Sequence, residues 1–360
     1  MATDQGLNAA LDAVAAARAT DLVFTVGNPP MMRVDGAIRP IEGAAALDAA
    51  QVNACLCELL DDNQIAAMDR DRDVDFAYSH GPHRFRGNAF FQRGRPAVAL
   101  RLIQETIPTF DEIGLPPAVR ELIDRKQGLI LFCGPTGSGK STSMASLVDA
   151  INASRACHII TIEDPIEYLH ENKTAVVHQR EVGIDAQSFA RALRAALRED
   201  PDVVLVGEMR DPESIAITLT LAETGHLVLS SLHTNDAPQT LDRIVDVFPG
   251  DRQAQIRTQL ASTLSAVVAQ RLVPRIGGGQ VAAYEVLLAT SAVSNLVREG
   301  KTRQLRNAMQ MALGAGHKTI EMSLNELVGW GIITKETAVA HAFVPHEVDT
   351  SLPAPLAAQG

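Results

Sequence analysis

The stretch Gly134-Pro135-Thr136-Gly137-Ser138-Gly139-Lys140-Ser141 fits Gly-x4-Gly-Lys-Ser/Thr, the phosphate-binding loop of nucleoside triphosphatases. The apolar run 129–133 before it predicts a buried strand, and the run 141–148 after it predicts a helix. Glycines let the backbone approach phosphate oxygens, while loop N–H groups and the helix N-terminus supply partial positive charge. We therefore expect this loop and Thr142 to bind nucleotide, with Lys140 reaching the β- and γ-phosphates and Ser141 ligating Mg²⁺.

Length and composition favour a two-domain protein without a membrane span and exclude several other classes of protein. A chain of 360 residues is long enough for two domains, and a net charge of −11 argues against a general nucleic-acid or anionic-membrane surface. No apolar run approaches the length of a membrane span, and we find no signal peptide. None of the four cysteines forms Cys-x2-Cys, so we expect neither a zinc site nor a disulfide framework. A reducing, cytoplasmic location fits these features.

The first part of the chain mixes short strands with helices, which predicts a small α+β domain over 1–105. Prolines at 108, 116 and 117 indicate a linker over 106–118. The expected helices cover 7–18 and 50–60, and the expected strands cover 22–26, 31–34, 75–78, 84–91 and 97–103.

From residue 119 to 345, apolar strands alternate with helices, which predicts an α/β fold with a parallel sheet and helices on both faces. After residue 250 the pattern is mostly helical, apart from a strand candidate at 281–288, and we expect a loose tail over 346–360. The expected strands are 129–133, 158–162, 203–206 and 227–232, and the expected helices are 140–151, 186–198, 212–222 and 236–246.

Acidic residues follow two of the expected strands. Glu208 comes just after the run 203–206, where nucleoside triphosphatases place a carboxylate that holds Mg²⁺ or its water ligands. Glu163 ends another strand, and Pro165 stops further sheet pairing there. Ligands bind at this edge of open α/β sheets, so Glu163 is a candidate for orienting or deprotonating an attacking water. The residues alone leave a solvated acidic turn as an equal alternative.

Histidines bracket the strand 227–232. His233 falls at its carboxyl end and is a candidate for hydrogen bonding to a γ-phosphate, although lone histidines are more often surface or core residues. The region 76–104 carries five arginines and no acidic residue. We expect this patch to bind an anion, such as a phosphate held by a neighbouring subunit; the alternatives are a solvated sheet face and, less favoured, single-stranded nucleic acid. The arginines are Arg84, Arg86, Arg93, Arg95 and Arg101.

Several segments together resemble the type IV pilus retraction ATPases (PilT-like) of the secretion/pilus ATPase superfamily, over roughly residues 20–345. Besides the phosphate loop they include Arg84-Phe85-Arg86-Gly87-Asn88-Ala89-Phe90, the acidic box 161–168, and Gln179-Arg180-Glu181-Val182-Gly183. The remaining segments are Thr20-Asp21-Leu22 with Pro29-Pro30 and 33–36, AALREDPDVVLVGEMR at 195–210, and ETGHLVLSSLHTN at 223–235.

The resemblance implies a PAS-like N-terminal domain and a RecA-like ATPase domain, assembled as a homohexamer that hydrolyses ATP with Mg²⁺ and drives pilus retraction and twitching motility. It implies an inner-membrane platform protein as partner, possible other pilus ATPases, and no nucleic acid. The family's catalytic glutamate falls on Glu163 and its Mg²⁺-associated glutamate on Glu208. Its histidine box covers His226, expected to bind the nucleotide, and His233. Its trans-acting arginines fall on Arg86 and Arg101, with Arg84 as a rival.

Fewer residues indicate which branch of the superfamily this chain resembles than indicate the superfamily itself. Assembly ATPases carry a longer N-terminal region and a tetracysteine loop that this chain lacks, which favours retraction. The C-terminal helix motif AIRNLIRE reads AVSNLVRE here, with Ser294 in place of the first arginine, and Val23 stands where the family usually has histidine. An accessory retraction paralogue, an assembly or type II secretion ATPase, a RecA-like nucleic-acid motor and a scaffold without turnover remain alternatives.

Overall fold

The computed structural model describes residues 4–17, 19–34, 36–103, 106–209 and 211–349. The chain forms two compact units, Met1–Thr106 and Ile107–Gly360. Residues of the expected linker pack on the second unit, where Leu115 is buried. The expected tail is described only as far as Asp349, with Val348 buried, and its remainder lies outside the described residues. Within the described ranges, no helix is both long and apolar enough to cross a membrane.

The first unit is α+β, as the sequence predicts. Its six strands form an antiparallel sheet in the order β3-β2-β1-β6-β5-β4. One face of this sheet packs against the helices through alternate strand residues such as Leu22, Phe24 and Phe85. The elements are α1 (Asp4–Ala16), β1 (Asp21–Thr25), β2 (Met31–Val34), β3 (Ala37–Pro40), α2 (Ala49–Leu59), α3 (Asp62–Asp71), β4 (Asp73–His80), β5 (His83–Gln92) and β6 (Arg95–Leu102).

The sequence analysis missed two of these elements, β3 and α3, because both bury few side chains and so show no clear apolar pattern. Strand β3 is an edge strand whose four residues are all exposed, so it carries no alternating apolar pattern. Helix α3 buries only Met68, but Asp61 and Gln64 form a capping box that satisfies its first N–H groups.

The second unit is a seven-stranded sheet in the order β13-β12-β7-β11-β10-β8-β9, parallel except for the edge strand β13. Leu129 and Leu131 of β7 point into one core, while Ile130 and Phe132 point into the other, so helices cover both faces as predicted. The elements are α4 (Pro117–Arg120), β7 (Gly128–Cys133), α5 (Lys140–Ser154), β8 (His158–Glu163), β9 (Val176–Glu181), α6 (Phe189–Ala196), β10 (Val203–Val206), α7 (Pro212–Glu223), β11 (Leu227–Leu232), α8 (Ala237–Asp246), α9 (Gly250–Thr263), β12 (Leu264–Pro274), β13 (Gln280–Leu288), α10 (Ser291–Arg298), α11 (Leu305–Met311), α12 (Ile320–Gly329) and α13 (Lys335–His341).

The prediction of a mostly helical region after residue 250 is wrong at Leu264–Pro274, which forms the long strand β12 beside β7. Its first seven residues are buried without any period, because β12 lies inside the sheet with cores on both faces. A continuous apolar run of this kind does not distinguish a strand from a buried helix. Strand β9 was also missed, since its burial is irregular and Val176 is exposed.

Candidate active site

Four adjacent parallel strands end at one edge of the second sheet. They lie in the order β7-β11-β10-β8, and each is followed by a residue or loop that the sequence singles out. The phosphate loop follows β7, His233 follows β11, Glu208 comes two residues after β10, and Glu163 ends β8. Because parallel strands have their carboxyl ends at the same edge, the sheet brings these four features together.

The phosphate loop has its shape because three of its residues are glycine. Gly134, Gly137 and Gly139 have φ values of 146°, 78° and 87°, a region that other residues rarely adopt. A Cβ on Gly134 would lie 2.3 Å from the carbonyl oxygen of Gln270, and one on Gly139 would lie 2.7 Å from Gln270 Nε2. The loop is therefore pressed against strand β12, and side chains at either glycine would displace it.

The residues of the loop fit a phosphate group. Helix α5 begins after Gly139, which provides no side-chain cap, so the first backbone N–H groups of this 15-residue helix remain for a ligand. The Ser138 hydroxyl is buried and has no hydrogen-bond partner among the described residues. Thr142, at the third position of α5, has its hydroxyl 2.9 Å from the Tyr168 hydroxyl. Such a cradle of donors at a helix N-terminus matches the phosphates of a nucleotide.

The side chain of Lys140 folds back over the first residues of the phosphate loop. Its Nζ donates to the carbonyl oxygens of Gly134 at 2.8 Å and Pro135 at 3.1 Å. Burial lowers the pKa of Lys140, and the carboxylates of Glu208 and Glu167 act in the opposite direction. The ammonium group is thus held over the loop by backbone oxygens.

His233 connects the loop to the acidic side of the site. Its Nδ1 lies 3.4 Å from Thr136 Oγ1 and 3.5 Å from Lys140 Nζ, while its Nε2 lies 3.4 Å from Glu208 Oε1. A ring bridging a phosphate loop and a carboxylate can respond to both through hydrogen bonds. Glu208 and the Ser141 hydroxyl supply oxygen donors, the ligand type that Mg²⁺ prefers.

Glu163 is held by neighbours on its own strand and the next. Thr161 Oγ1 donates to Glu163 Oε1 at 2.6 Å, and Gln179 Nε2 approaches the same oxygen at 3.4 Å. Burial raises the pKa of Glu163 to about 7, and these hydrogen bonds reduce the rise because they favour the charged form. A carboxyl group that titrates near neutral pH is suited to accept a proton at neutral pH.

His226 lies away from these four features, so its expected contact with the nucleotide stays a prediction. It precedes β11, and its carbonyl accepts the N–H of Gly128 at the start of β7. Six strand residues separate it from His233, a length of about 20 Å at the usual rise of a strand. Its Nδ1 lies 2.8 Å from the carbonyl oxygen of Leu221. In this fold His226 is positioned to join the end of α7 to the sheet.

The arginines lie in the first unit, on the sheet face opposite its helices. Arg86 of β5 and Arg101 of β6 are direct cross-strand partners, and both are exposed. Arg101 Nε donates to Asp21 Oδ1 at 2.8 Å, and Arg33 Nε lies 3.4 Å from Asp21 Oδ2. Arg33, Asp21, Arg101 and Arg86 therefore form a row across four neighbouring strands, which we call the arginine row. Arg84 lies two residues before Arg86 on β5 and is half-buried.

Sequence reasoning missed several residues that support the site. Thr161 and Gln179 lie within segments that carry the family resemblance, but their contact with Glu163 follows from strand pairing. Gln270 accepts a hydrogen bond from Ser143 at 2.9 Å and touches two loop glycines, and it lies in the region misread as helical.

Comparison with known proteins extends over nearly the whole chain. The family of type II/IV secretion system proteins matches residues 57–303. The type IV pilus retraction ATPase PilT of Pseudomonas aeruginosa is 44% identical over 91% of this chain and 95% of its own length. The type IV pilus ATPase PilU of the same organism is 41% identical over 90% of this chain and 85% of its own. A crystal structure of the pilus retraction motor PilT with bound ADP has a TM-score of 0.89 and 45% identity, covering 95% of this chain and 98% of that one.

Proposed function

This chain belongs to the family of type II/IV secretion system proteins, and we propose that it is an ATPase motor that powers the retraction of type IV pili. One observation carries the proposal. The phosphate loop, His233, Glu208 and Glu163 stand on one sheet edge, in a chain that is 44% identical to a retraction ATPase over nearly its full length.

The chemistry is hydrolysis of the β–γ phosphoanhydride by water. The loop N–H groups and Lys140 bind the phosphates, and Ser141 and Glu208 hold Mg²⁺, in part through water. The metal ion supplies charge neutralisation at the phosphate oxygens. Glu163 orients the attacking water and takes its proton, and His233 contacts the γ-phosphate. Catalysis then comes mainly from positioning and charge.

We infer that Arg86 and Arg101 of the arginine row supply the remaining charge in trans. We infer a homohexameric ring in which Arg101 and Arg86, with Arg84 as a rival, face the γ-phosphate bound by the adjacent subunit. This assignment rests on the surplus of positive charge on an exposed sheet face of an acidic protein. We place the ring in the cytoplasm, at the inner face of the cell membrane through a platform protein of the pilus, with other pilus ATPases as further partners.

An accessory role is the second candidate. It is favoured by Ser294, which stands where the retraction motif has arginine. Deletion of the gene in its host tests both candidates, with complementation by the wild-type gene and by a Lys140→Ala copy as matched controls. Retraction predicts surplus surface pili and lost twitching, restored only by the wild-type copy. Normal piliation with weakened twitching favours the accessory role, and absent pili would mean that the chain drives assembly.

A further inference from the structure

The surroundings of Glu163 are asymmetric. Both side chains that hydrogen bond to this carboxylate do so at Oε1: the Thr161 hydroxyl at 2.6 Å and the Gln179 amide at 3.4 Å. Thr161 is fully buried on β8, two residues before Glu163 and therefore on the same face of the strand. Gln179 is its direct partner on β9. Strand pairing thus fixes both donors against one carboxylate oxygen.

Gln179 is itself held by the loop that follows β8. Its Nε2 also donates to the carbonyl oxygen of Tyr168 at 2.8 Å, and its Oε1 accepts the N–H of His170 at 2.8 Å. The Tyr168 hydroxyl lies 2.9 Å from Thr142 Oγ1, one residue beyond the phosphate loop. The amide that faces Glu163 therefore has little freedom to turn, and it is connected to the start of α5.

Besides these two side chains, the backbone N–H of Glu167 hydrogen bonds to the same carboxylate. We propose that Thr161, supported by Gln179, is the positioning residue that holds Glu163 Oε1 and so orients the carboxylate that accepts the proton of the attacking water. This inference rests on the proposed role of Glu163. In the step, a water O–H bond breaks and its proton moves to the Glu163 carboxylate, while the water oxygen forms a bond to the γ-phosphorus. The bond from the γ-phosphorus to the β–γ bridging oxygen breaks, and ADP leaves with the electron pair.

The hydroxyl should also set the pH at which Glu163 becomes able to act. Because burial raises the pKa of Glu163 to about 7 and the Thr161 hydrogen bond lowers it, removing that hydroxyl raises the pKa further. The proton acceptor is the carboxylate, so its active form then appears only at higher pH. Other charged groups around Glu163 stay the same in the variants below; they are Glu167 in the loop after β8, Glu181 on β9, Glu208 after β10, and Lys140.

The test compares the pH dependence of kcat for purified full-length protein at saturating ATP and Mg²⁺. Thr161→Val removes the hydroxyl and keeps the β-branched shape that suits a buried strand. The acidic limb of its kcat–pH profile should move up by about one pH unit. Its kcat should then be roughly tenfold below the wild-type value below neutral pH and should approach that value at high pH. Thr161→Ser, which keeps a hydroxyl, should restore the wild-type profile.

Thr218→Val is the matched control. Thr218 is a fully buried threonine on α7 whose hydroxyl donates to the Ser214 carbonyl at 2.8 Å, outside the site. This variant should keep the wild-type profile. Thr161→Ala is a second variant without the hydroxyl, to be used if Thr161→Val does not give folded protein by circular dichroism.

Two outcomes would overturn the inference. An unchanged profile in Thr161→Val would mean that the hydroxyl has no role, and an equal loss of kcat at every pH would mean that it is only structural. Glu163→Gln separates this failure from failure of the proposed function. If Glu163→Gln is inactive while Thr161→Val behaves as wild type, only the positioning role is wrong. If Glu163→Gln turns over normally, the role of Glu163 itself is wrong.

Discussion

The phosphate-loop edge of the second unit and the arginine row of the first unit are both charged, yet they are built differently. At the edge, Lys140, His233 and Glu208 form a chain of contacts of 3.4–3.5 Å, and backbone carbonyls hold Lys140 from below. In the row, Arg33 and Arg101 pair with the one aspartate, Asp21, and the Arg101 side chain is 70% exposed. The edge balances its charges among its own residues, whereas the row retains positive charge.

This difference indicates what each region is suited to do. Partly buried charges that hold one another in place are pre-organised for chemistry, because they need not rearrange when a substrate binds. Arg86 and Arg101 lie directly opposite each other, an arrangement that destabilises a sheet unless an anion lies between or above the two charges. This contrast supports the proposal that the edge is the place of catalysis and that Arg86 and Arg101 bind a phosphate held by another subunit.

The largest expected effect is at the edge. Lys140→Ala should reduce ATP hydrolysis to background, because it removes the one ammonium group at the phosphate loop. Circular dichroism should remain that of the wild type, since Lys140 contributes charge rather than apolar packing. Steady-state phosphate release measures the effect, and hydrolysis at the wild-type rate would place the chemistry elsewhere.

A smaller effect is expected from the row. Arg101→Ala should still bind nucleotide but hydrolyse it about 100-fold more slowly, because charge developing on the γ-phosphate is no longer neutralised. Arg33→Ala is the matched control, since Arg33 also pairs with Asp21 but is not assigned to the phosphate. It should hydrolyse ATP at nearly the wild-type rate. Equal losses in the two variants would trace the effect to an unpaired Asp21, and full activity in Arg101→Ala would exclude this arginine.

Mixing variants asks whether the row acts across subunits. Inactive Arg101→Ala subunits and inactive Lys140→Ala subunits, combined under conditions that allow exchange, give some interfaces with an intact loop and an intact arginine. Partial recovery of hydrolysis should follow, and an arrangement entirely within one subunit does not produce it.

The smallest effect on hydrolysis is expected outside both regions. Helix α10 ends at Arg298, which donates to Asn295 at 2.8 Å, and Glu299 pairs with Lys301 at 2.7 Å, all on the exposed surface. The double variant Arg298→Ala/Glu299→Ala should keep ATPase activity while abolishing twitching in cells, because this helix is expected to couple hydrolysis to the pilus machinery. Unchanged twitching would show that the role expected of this helix is wrong.

Much of the phosphate-loop edge could be predicted because each strand there is an apolar run ended by a distinctive residue. The spacing of the glycines identifies the phosphate loop, and Glu163, Glu208 and His233 each lie at or just after the end of a buried strand. Because the carboxyl ends of parallel strands lie at one edge of the sheet, the sequence alone predicts that these residues lie close together. His226 belongs to the same family motif as His233, but the two stand at opposite ends of β11, as their positions around the expected strand 227–232 predict.

The supporting contacts could not be predicted in the same way. Gln270 touches a loop more than a hundred residues earlier in the chain, and no local pattern encodes that approach. The hydrogen bond from Gln179 to Glu163 depends on the register between β8 and β9, and β9 has too irregular an apolar pattern to be recognised. Interior strands such as β12 lose the alternation that identifies strands with one solvent-facing side.

The most direct test of the account is single-turnover hydrolysis of ATP with Mg²⁺ by Glu163→Gln. This change keeps the shape of the side chain and removes the group that accepts the proton. We predict nucleotide binding close to that of the wild type and hydrolysis slower by about 100- to 10,000-fold. Hydrolysis near the wild-type rate in a single turnover would contradict the central claim that Glu163, at the end of β8, activates the water that attacks ATP.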